Sequence, residues 1–179
     1  MAASPHNLLA RRAKAQVLRA QRRFAEAIPE YEAALALDRN WVRAYYALGQ
    51  CKLFAGSIEE QAIRLSPRDP ELGIHYHQIG LVHLLQSRTD EAIVWLEKAR
   101  GAMPQRPDIH ANLASAYALK GHTERGAAEL AEARRLNPDD RYTNIARLQA
   151  VGYWGVPKIR ALFEATYFVG LRFVGMPEE

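Results

Sequence analysis

The sequence predicts an all-α fold, a right-handed α-solenoid built from antiparallel helix pairs. Three observations indicate this class. The chain is rich in alanine and leucine, and its β-branched residues do not gather in runs. Small and large residues recur at an interval of 34 positions. Within each interval these residues are three or four positions apart, which places them on one face of a helix.

The repeat is clearest in residues 80–104, GLVHLLQSRTDEAIVWLEKARGAMP, and residues 114–138, ASAYALKGHTERGAAELAEARRLNP. The aligned pairs are Gly80 with Ala114, His83 with Tyr117, Leu96 with Leu130, Ala99 with Ala133 and Pro104 with Pro138. Small residues let two helix backbones approach, and large residues fill the groove beside them. The pattern therefore predicts two packed helices in each repeat.

Four repeats, each numbered from position one, fit along the chain. Their predicted bounds are 8–41, 42–72, 73–106 and 107–140, with an N-terminal extension at 1–7 and a C-terminal cap at 141–179. Gly56 and Gly121 stand at position fifteen, between the helices of a pair, where the chain must turn. Proline ends the second helix of three repeats, at Pro67, Pro104 and Pro138.

These residues and their period resemble the tetratricopeptide repeat. The resemblance implies stacked helical hairpins whose first helices line a concave groove. A narrower resemblance lies in AIRLSPRDP, in WLEKA after DEAI, and in the terminal GLRFVGMPEE. These segments are similar to the C-terminal repeat region of bacterial proteins that carry a class III adenylate or guanylate cyclase domain, or a winged-helix domain, ahead of it. That similarity implies a regulatory or signalling region whose catalytic domain lies elsewhere.

The second repeat is shorter than the others. Pro67 lies eleven positions after Gly56, whereas Pro138 lies seventeen positions after Gly121. The second helix of this repeat, over residues 57–65, therefore lacks six residues and is expected to have about two turns. We predict that it is the weakest part of the stack. The shortening is either natural or marks a mobile segment that the sequence lacks.

The C-terminal cap leaves the repeat pattern. Pro157 suits the first turn of a helix, and apolar residues follow it at helical spacing. We predict one capping helix over residues 156–173, because a solenoid must cover the apolar face of its last repeat. Phe163, Tyr167 and Phe168 cannot all face inward from one regular helix. The tail is therefore expected either to wrap closely on the fourth repeat or to form a homodimer interface.

The sequence lacks the motifs of an enzyme, and we expect neither catalysis nor a cofactor. His75 and His77 point about 200° apart on a helix and cannot share a metal ion, so no metal site is expected. Cys51 is expected to be a buried, inert thiol. With a single cysteine, no apolar run long enough to cross a membrane and no recognisable signal peptide, the chain is expected in the cytoplasm.

The net charge is +4, and the first 24 residues hold six basic side chains and no acid. Arg11, Arg12 and Arg19 fall on one side of the first helix. A basic amphipathic helix can bind a membrane surface or nucleic acid, so a basic surface-binding protein is one alternative. No aromatic residue stands among the arginines, and we favour an ordinary solvated face. Membrane and nucleic acid are therefore not the expected partners.

In repeats of this type, positions two, five, nine and twelve of the first helix face the groove. The predicted groove residues at these positions are Arg12, Gln16, Arg19, Arg43, Tyr46, Gln50, His77, Leu81 and Ser115, with Asn112 beside them. Arg12 and Gln16 only approximate the Lys and Asn pair with which related grooves bind a peptide carboxylate, so no dedicated carboxylate site is expected. Leu81 and Leu84 suit packing and peptide contact equally well.

The leading hypothesis is a non-enzymatic scaffold that binds a peptide or partner protein, acidic in character, in this groove. Two alternatives remain open: the regulatory region of a cyclase-type signalling protein, and the basic surface-binding protein. One observation separates the first two hypotheses: whether the adjoining genomic sequence encodes a cyclase or winged-helix domain in the same reading frame.

Overall fold

The computed structural model describes residues 8–56 and 72–179, and every regular element in these ranges is an α-helix. The all-α class is therefore confirmed. The helices are α1 Leu8–Ala20, α2 Phe24–Leu37, α3 Val42–Ala55, α4 Leu72–Leu85, α5 Thr89–Ala102, α6 Pro107–Leu119, α7 Thr123–Leu136, α8 Ile145–Val151, α9 Pro157–Ala165 and α10 Tyr167–Phe173.

The chain divides into two compact units, unit 1 (Met1–Glu71) and unit 2 (Leu72–Glu179). The short helix predicted over 57–65 lies outside the described residues.

Unit 1 contains the helical hairpin α1–α2, and α3 packs against α2. Ala15, Ala27 and Ala34 are completely buried, so the small residues at positions eight, twenty and twenty-seven stand where helix backbones approach. Large side chains fill the space around them. Phe24 of α2, for example, contacts Phe54 of α3 with ring centroids 5.3 Å apart.

The turn inside each repeat has a left-handed residue at position fifteen. Gly56 and Gly121 take φ values of 101° and 84° at this position. Arg22 and Ser87 occupy it in the first and third repeats and also have positive φ values, 60° and 59°. Left-handed backbone costs a residue with a side chain about 1–2 kcal/mol. The repeat geometry thus imposes the turn even where the residue does not favour it.

Unit 2 contains two helical hairpins, α4–α5 and α6–α7, followed by three tail helices. Close approach inside each hairpin requires small residues. A β-carbon on Gly80 of α4 would lie 2.6 Å from Leu96 Cγ of α5. A β-carbon on Gly126 of α7 would lie 2.8 Å from the Ala114 carbonyl oxygen of α6. Positions eight and twenty are therefore contact points between paired helices, as the repeat pattern indicates.

The tail differs from the single helix predicted over residues 156–173. It forms α9 and α10, which are separated at Thr166. The φ and ψ angles of Thr166, −127° and −76°, are not helical, and its hydroxyl donates a 2.7 Å hydrogen bond to the Leu162 carbonyl. The helical spacing of the apolar residues continues across Thr166, so the sequence pattern contains no sign of the break.

The break changes which aromatic residues the tail can bury. Phe163, Tyr167 and Phe168 are all buried, because the restriction that applies to one regular helix does not apply to two. The half-buried Trp154 contacts all three rings, with centroid distances of 5.0, 5.9 and 4.9 Å. This aromatic cluster fixes α9 and α10 relative to each other.

The tail packs on the repeats of unit 2. α10 lies on α6, and α9 contacts α10 and reaches α4. The last residues return to α8, where the backbone N–H groups of Ile145 and Ala146 donate to the carbonyls of Pro177 and Glu178 at 2.9 and 3.0 Å. Of the two arrangements expected for the tail, the structure therefore shows the one that wraps on the fourth repeat.

Candidate functional site

The predicted groove residues fall into two sets, one in each unit. The unit 1 face lies on α1 and α3 and consists of Arg12, Gln16, Arg19, Arg43, Tyr46 and Gln50. The unit 2 face lies on α4 and α6 and consists of His77, Leu81, Asn112 and Ser115. The two faces differ in whether another part of the chain covers them.

One hydrogen bond joins the two helices of the unit 1 face. Arg19 Nη1 of α1 donates to Gln50 Oε1 of α3 at 2.9 Å, so the structure brings together residues 31 positions apart. Arg19 also lies beside the buried Tyr31 hydroxyl. Burial raises the pKa of Tyr31, and the charge of Arg19 and its hydrogen bond act against that shift. Arg19 is therefore a fixed part of the face.

Arg12 is held by two partners that the sequence pattern did not reveal. Its guanidinium pairs with the Asp38 carboxylate and lies over the Trp41 ring, 4.7 Å from the ring centroid. Both partners come from the connection between α2 and α3, which carries no repeat signal. The pairing orients Arg12 and neutralises part of its charge.

The rest of the unit 1 face is more open. Gln16 and Arg43 are exposed, and Tyr46 and Gln50 are half-buried. None of the six residues of this face is acidic. The face therefore presents guanidinium and amide groups beside one aromatic ring, which suits hydrogen bonding to carboxylates and backbone carbonyls.

Basic side chains in and just after α1 pair with acidic side chains of α2. Arg11 and Lys14 both pair with Glu30 of α2, at 3.0 and 2.6 Å. The hydrogen bond from Lys14 is the main cause that lowers the pKa of Glu30. Arg23 pairs with Glu26 at 2.6 Å. Two carboxylates offset part of these three positive charges and hold the side chains in place, which weakens the basic surface-binding alternative.

The unit 2 face is a polar network under the tail. Asn112 Nδ2 of α6 donates to His77 Nε2 of α4 at 2.7 Å, and His77 Nδ1 lies 3.8 Å from an Asp108 carboxylate oxygen. Burial lowers the pKa of His77. Burial alone would raise the pKa of Asp108, but its hydrogen bond from Arg106 and the neighbouring His77 hold it below the usual value.

The sequence places Ser115 on an open groove, but the structure buries it completely beneath α10. A β-carbon on Gly170 of α10 would lie 2.5 Å from the Ser115 carbonyl oxygen and 2.7 Å from its Cα. Asn112 is also buried, whereas Leu81 is half-buried. Leu84 is fully buried and acts as a packing residue. The sequence pattern does not predict this contact, because Ser115 and Gly170 lie far apart in the chain.

The sequence pattern also does not predict two further polar clusters in unit 2. His110 contacts Glu129 Oε2 at 2.6 Å through Nδ1, while its Nε2 donates to the Pro104 carbonyl at 2.8 Å. Tyr117 donates to Glu97 and lies under the guanidinium of Arg125, 4.1 Å from the ring centroid. Both clusters join α6 and α7 to neighbouring segments, and we interpret them as structural.

The described residues contain few groups suited to metal binding or nucleophilic catalysis. Among them, no group of three or more histidine, cysteine or acidic side chains could hold a metal ion. Cys51 is buried, and burial raises the pKa of its thiol to about 12, so it is protonated and unreactive near neutral pH. No helix in the described part of the chain is both long and apolar enough to span a membrane.

Comparison with known families gives a consistent result. Two tetratricopeptide repeat family models match the chain, one over residues 83–151 and one over residues 13–40. No curated protein matches the chain significantly.

Solved structures show the same fold. YrrB, described as a TPR protein with an unusual peptide-binding site, is 16% identical, with a TM-score of 0.58 over 93% of this chain and 87% of YrrB. TTC0263, a thermophilic TPR protein of Thermus thermophilus, is 19% identical, with a TM-score of 0.57 over 94% of this chain and 95% of TTC0263.

The paired helices and their 34-residue period define a helical-repeat protein. With these matches the family follows as well, and the chain is a tetratricopeptide repeat protein. The matched family models and the two solved structures above give no link to a cyclase or winged-helix protein, and that narrower resemblance stays a prediction.

Proposed function

We propose that this protein is a non-enzymatic interaction module that binds a peptide or partner protein through the unit 1 face. The observation that carries the proposal is the hydrogen bond between Arg19 and Gln50, which sets the polar side chains of α1 and α3 side by side. Two adjacent first helices then offer one continuous row of donors to an extended chain. Tetratricopeptide repeats commonly bind peptides on this side.

The chemistry of the face favours an acidic partner. Arg12, Arg19 and Arg43 bring three guanidinium groups to it, and none of its residues is acidic. Arginine binds carboxylates through two parallel hydrogen bonds, and complementary charge speeds association. Because Asp38 already pairs with Arg12, an acidic ligand would have to share that guanidinium or displace Asp38. We therefore expect moderate, salt-sensitive affinity.

The similarity to YrrB supports the kind of ligand but not the residues. YrrB is described as having a peptide-binding site, and the two proteins share a fold at 16% identity. Proteins that share this fold can bind their peptides through different side chains, so the shared fold does not identify the binding residues of this chain. The acidic character of the ligand therefore rests on the side chains of this chain alone.

The test is a peptide-display selection against the full chain, followed by fluorescence anisotropy with the selected peptides at several salt concentrations. We expect acidic peptides whose affinity falls as salt rises. Arg12→Glu combined with Arg43→Glu should weaken binding at least tenfold. Lys158→Glu combined with Arg160→Glu is the matched control, because it makes the same charge change on exposed residues of α9 and should have little effect.

Two results would reject the unit 1 face as the site. One is equal binding by the Arg12/Arg43 variant and wild type. The other is equal weakening by the control pair, which would indicate a general effect of net charge.

A further inference from the structure

α10 lies on the unit 2 face in the position where a bound helix would lie. Its Gly170 meets Ser115 at position nine of α6, and its Tyr167 lies near Asp108 at position two. Positions two and nine are seven residues apart and share one face of a helix. They are also positions that the repeat pattern assigns to the groove. α9 extends this contact to α4, the first helix of the preceding repeat.

The unit 2 face combines several polar groups with the apolar Leu81, so it is not a purely apolar core surface. It contains Asp108, the hydrogen-bonded pair of His77 and Asn112, and Ser115. The Ser115 hydroxyl is fully buried and has no hydrogen-bond partner among the described residues. A buried polar group without a partner costs free energy that it would recover in water. This surface is therefore suited to being exposed, as an exchangeable binding face is.

The tail is also connected in a way that allows it to act as a separate element. Residues 152–156 between α8 and α9 are not helical, and Gly155 has a φ of 80°. By contrast, the paired helices of α4–α5 and of α6–α7 are joined by tight turns and approach each other at their own small residues, Gly80 and Gly126. Val174, the residue after α10, also lies beside Gly126, so the tail adds a contact to the α6–α7 hairpin at this point.

We propose that the unit 2 face is a binding site for an amphipathic helix and that the chain's own α9–α10 occupies it as an internal ligand, which closes this face to partners. This inference extends the proposed function, since it assumes that inner faces of these repeats bind peptides. The internal ligand defines the chemistry of the site: two adjacent aromatic residues, Tyr167 and Phe168, then a glycine at the closest approach, Gly170, followed by Leu171.

The pattern of the ligand follows from its contacts. Only glycine fits against the Ser115 backbone, since a β-carbon there would overlap backbone atoms that have no room to shift. Tyr167, Phe168 and Leu171 are buried and form the apolar side of α10, with the rings of Tyr167 and Phe168 packed against Trp154. Phe173, at the end of α10, is 60% exposed and is not part of the site.

The experiment uses the full chain and a fluorescent peptide with the wild-type sequence of residues 152–176, which includes Trp154. In the first variant, Gly170→Leu should expel the chain's own tail. In the second, Phe168→Ala with Leu171→Ala should weaken the tail without introducing bulk. Circular dichroism checks that each variant keeps its helices, and anisotropy measures binding of the peptide. A peptide carrying Gly170→Leu is the matched control.

We expect the peptide to bind at least one folded variant ten or more times more tightly than it binds wild type, whose face is already occupied. The control peptide should not bind. The proposal is overturned if both variants unfold, because the tail is then part of the core. It is also overturned if a folded variant does not bind the peptide, or if variant and wild type bind it equally.

A second copy as the occupant is tested by sedimentation of wild type. A dimer that dissociates in the Gly170→Leu variant would mean that tails are exchanged between chains, and it would overturn the assignment to the chain's own tail. Failure of this proposal is distinguishable from failure of the proposed function. The acidic-peptide assay tests Arg12 and Arg43 of the unit 1 face, whereas the tail-peptide assay tests the contact of α10 with the unit 2 face.

Discussion

Asn112 donates a 2.7 Å hydrogen bond to His77 Nε2, which joins the first helix of one repeat to the first helix of the preceding repeat. Because Nε2 accepts, the imidazole is neutral and its hydrogen lies on Nδ1, towards Asp108. Protonation of His77 would place a hydrogen on Nε2 against the Asn112 amide. The bond therefore links the stability of unit 2 to pH.

We predict that unit 2 becomes less stable as the pH falls below about 6.5, the ordinary histidine pKa. Burial lowers the pKa of His77, and the charge of Arg106 adds to this, while Asp108 opposes it. The unfolded chain then takes up a proton more readily than the folded chain, so acid favours unfolding until the pH reaches the folded pKa. The measurement is the melting temperature at pH 7.5 and 5.5.

His77→Gln should reduce this acid sensitivity, because glutamine can accept the bond from Asn112 without titrating in this range. The control is His122→Gln, which changes an exposed histidine. The His122→Gln variant should lose as much stability on acidification as wild type does. If the His77→Gln variant also loses as much, His77 is not the group responsible for the acid sensitivity.

The left-handed position in the turns gives a second prediction. Ser87→Gly should stabilise unit 2 by about 0.5–1 kcal/mol, since glycine tolerates the φ of 59° without strain. Gly121→Ala should destabilise it by about 1–2 kcal/mol for the converse reason. Chemical denaturation measures both free energies of unfolding.

Gly101→Ala provides the matched control for this pair. Gly101 lies within α5, and a β-carbon there meets nothing within 4 Å. The same substitution should therefore stabilise the protein at this position, by up to about 1 kcal/mol, because alanine favours helix more than glycine does. Equal changes in the free energy of unfolding at Gly101 and Gly121 would show that backbone conformation does not determine the effect of replacing glycine by alanine.

The third prediction concerns Trp154. Its ring contacts Phe163, Tyr167 and Phe168, and its Nε1 donates to the Gln149 carbonyl at 3.0 Å. Trp154→Ala should cost about 3 kcal/mol and should speed hydrogen exchange in α9 and α10 more than in α6.

Phe173→Ala is the comparison for Trp154→Ala. Phe173 belongs to α10 but is exposed, so its loss should change stability by about 0.5 kcal/mol or less. If exchange rises uniformly through unit 2 in the Trp154 variant, the tail and the hairpins unfold together. That result would contradict the separate tail on which the internal-ligand proposal depends.

The sequence predicted the parts of the fold that depend on short-range pattern. The contacts of Gly80 with Leu96 and of Gly126 with Ala114 follow from the repeat period, since each joins neighbouring helices of one hairpin. The position of the tail on α6 could not be predicted in the same way. The residues of α10 lie outside the 34-residue repeat, so the repeat gives no information about what they contact.

The same distinction applies to the candidate site. The repeat positions placed Arg19 and Gln50 on one face, and the structure joins them by a hydrogen bond. The partners of Arg12 come from a connecting segment, where neither helical spacing nor the repeat constrains the side chains. The accessibility of Ser115 was misjudged because it depends on a helix that is distant in sequence.

The last prediction tests the bond between Arg19 and Gln50 by a double-mutant cycle. Arg19→Met keeps much of the apolar stem and removes the charge and the donors, while Gln50→Ala removes the acceptor. The coupling between them should be about 0.5–1.5 kcal/mol in the free energy of unfolding, as for a single partly buried hydrogen bond. For acidic peptides, Arg19→Met should weaken binding more than Gln50→Ala, because it also removes a charge. A coupling near zero would mean that α1 and α3 are not held together at this point, and the continuous row of donors on the unit 1 face would lose its basis.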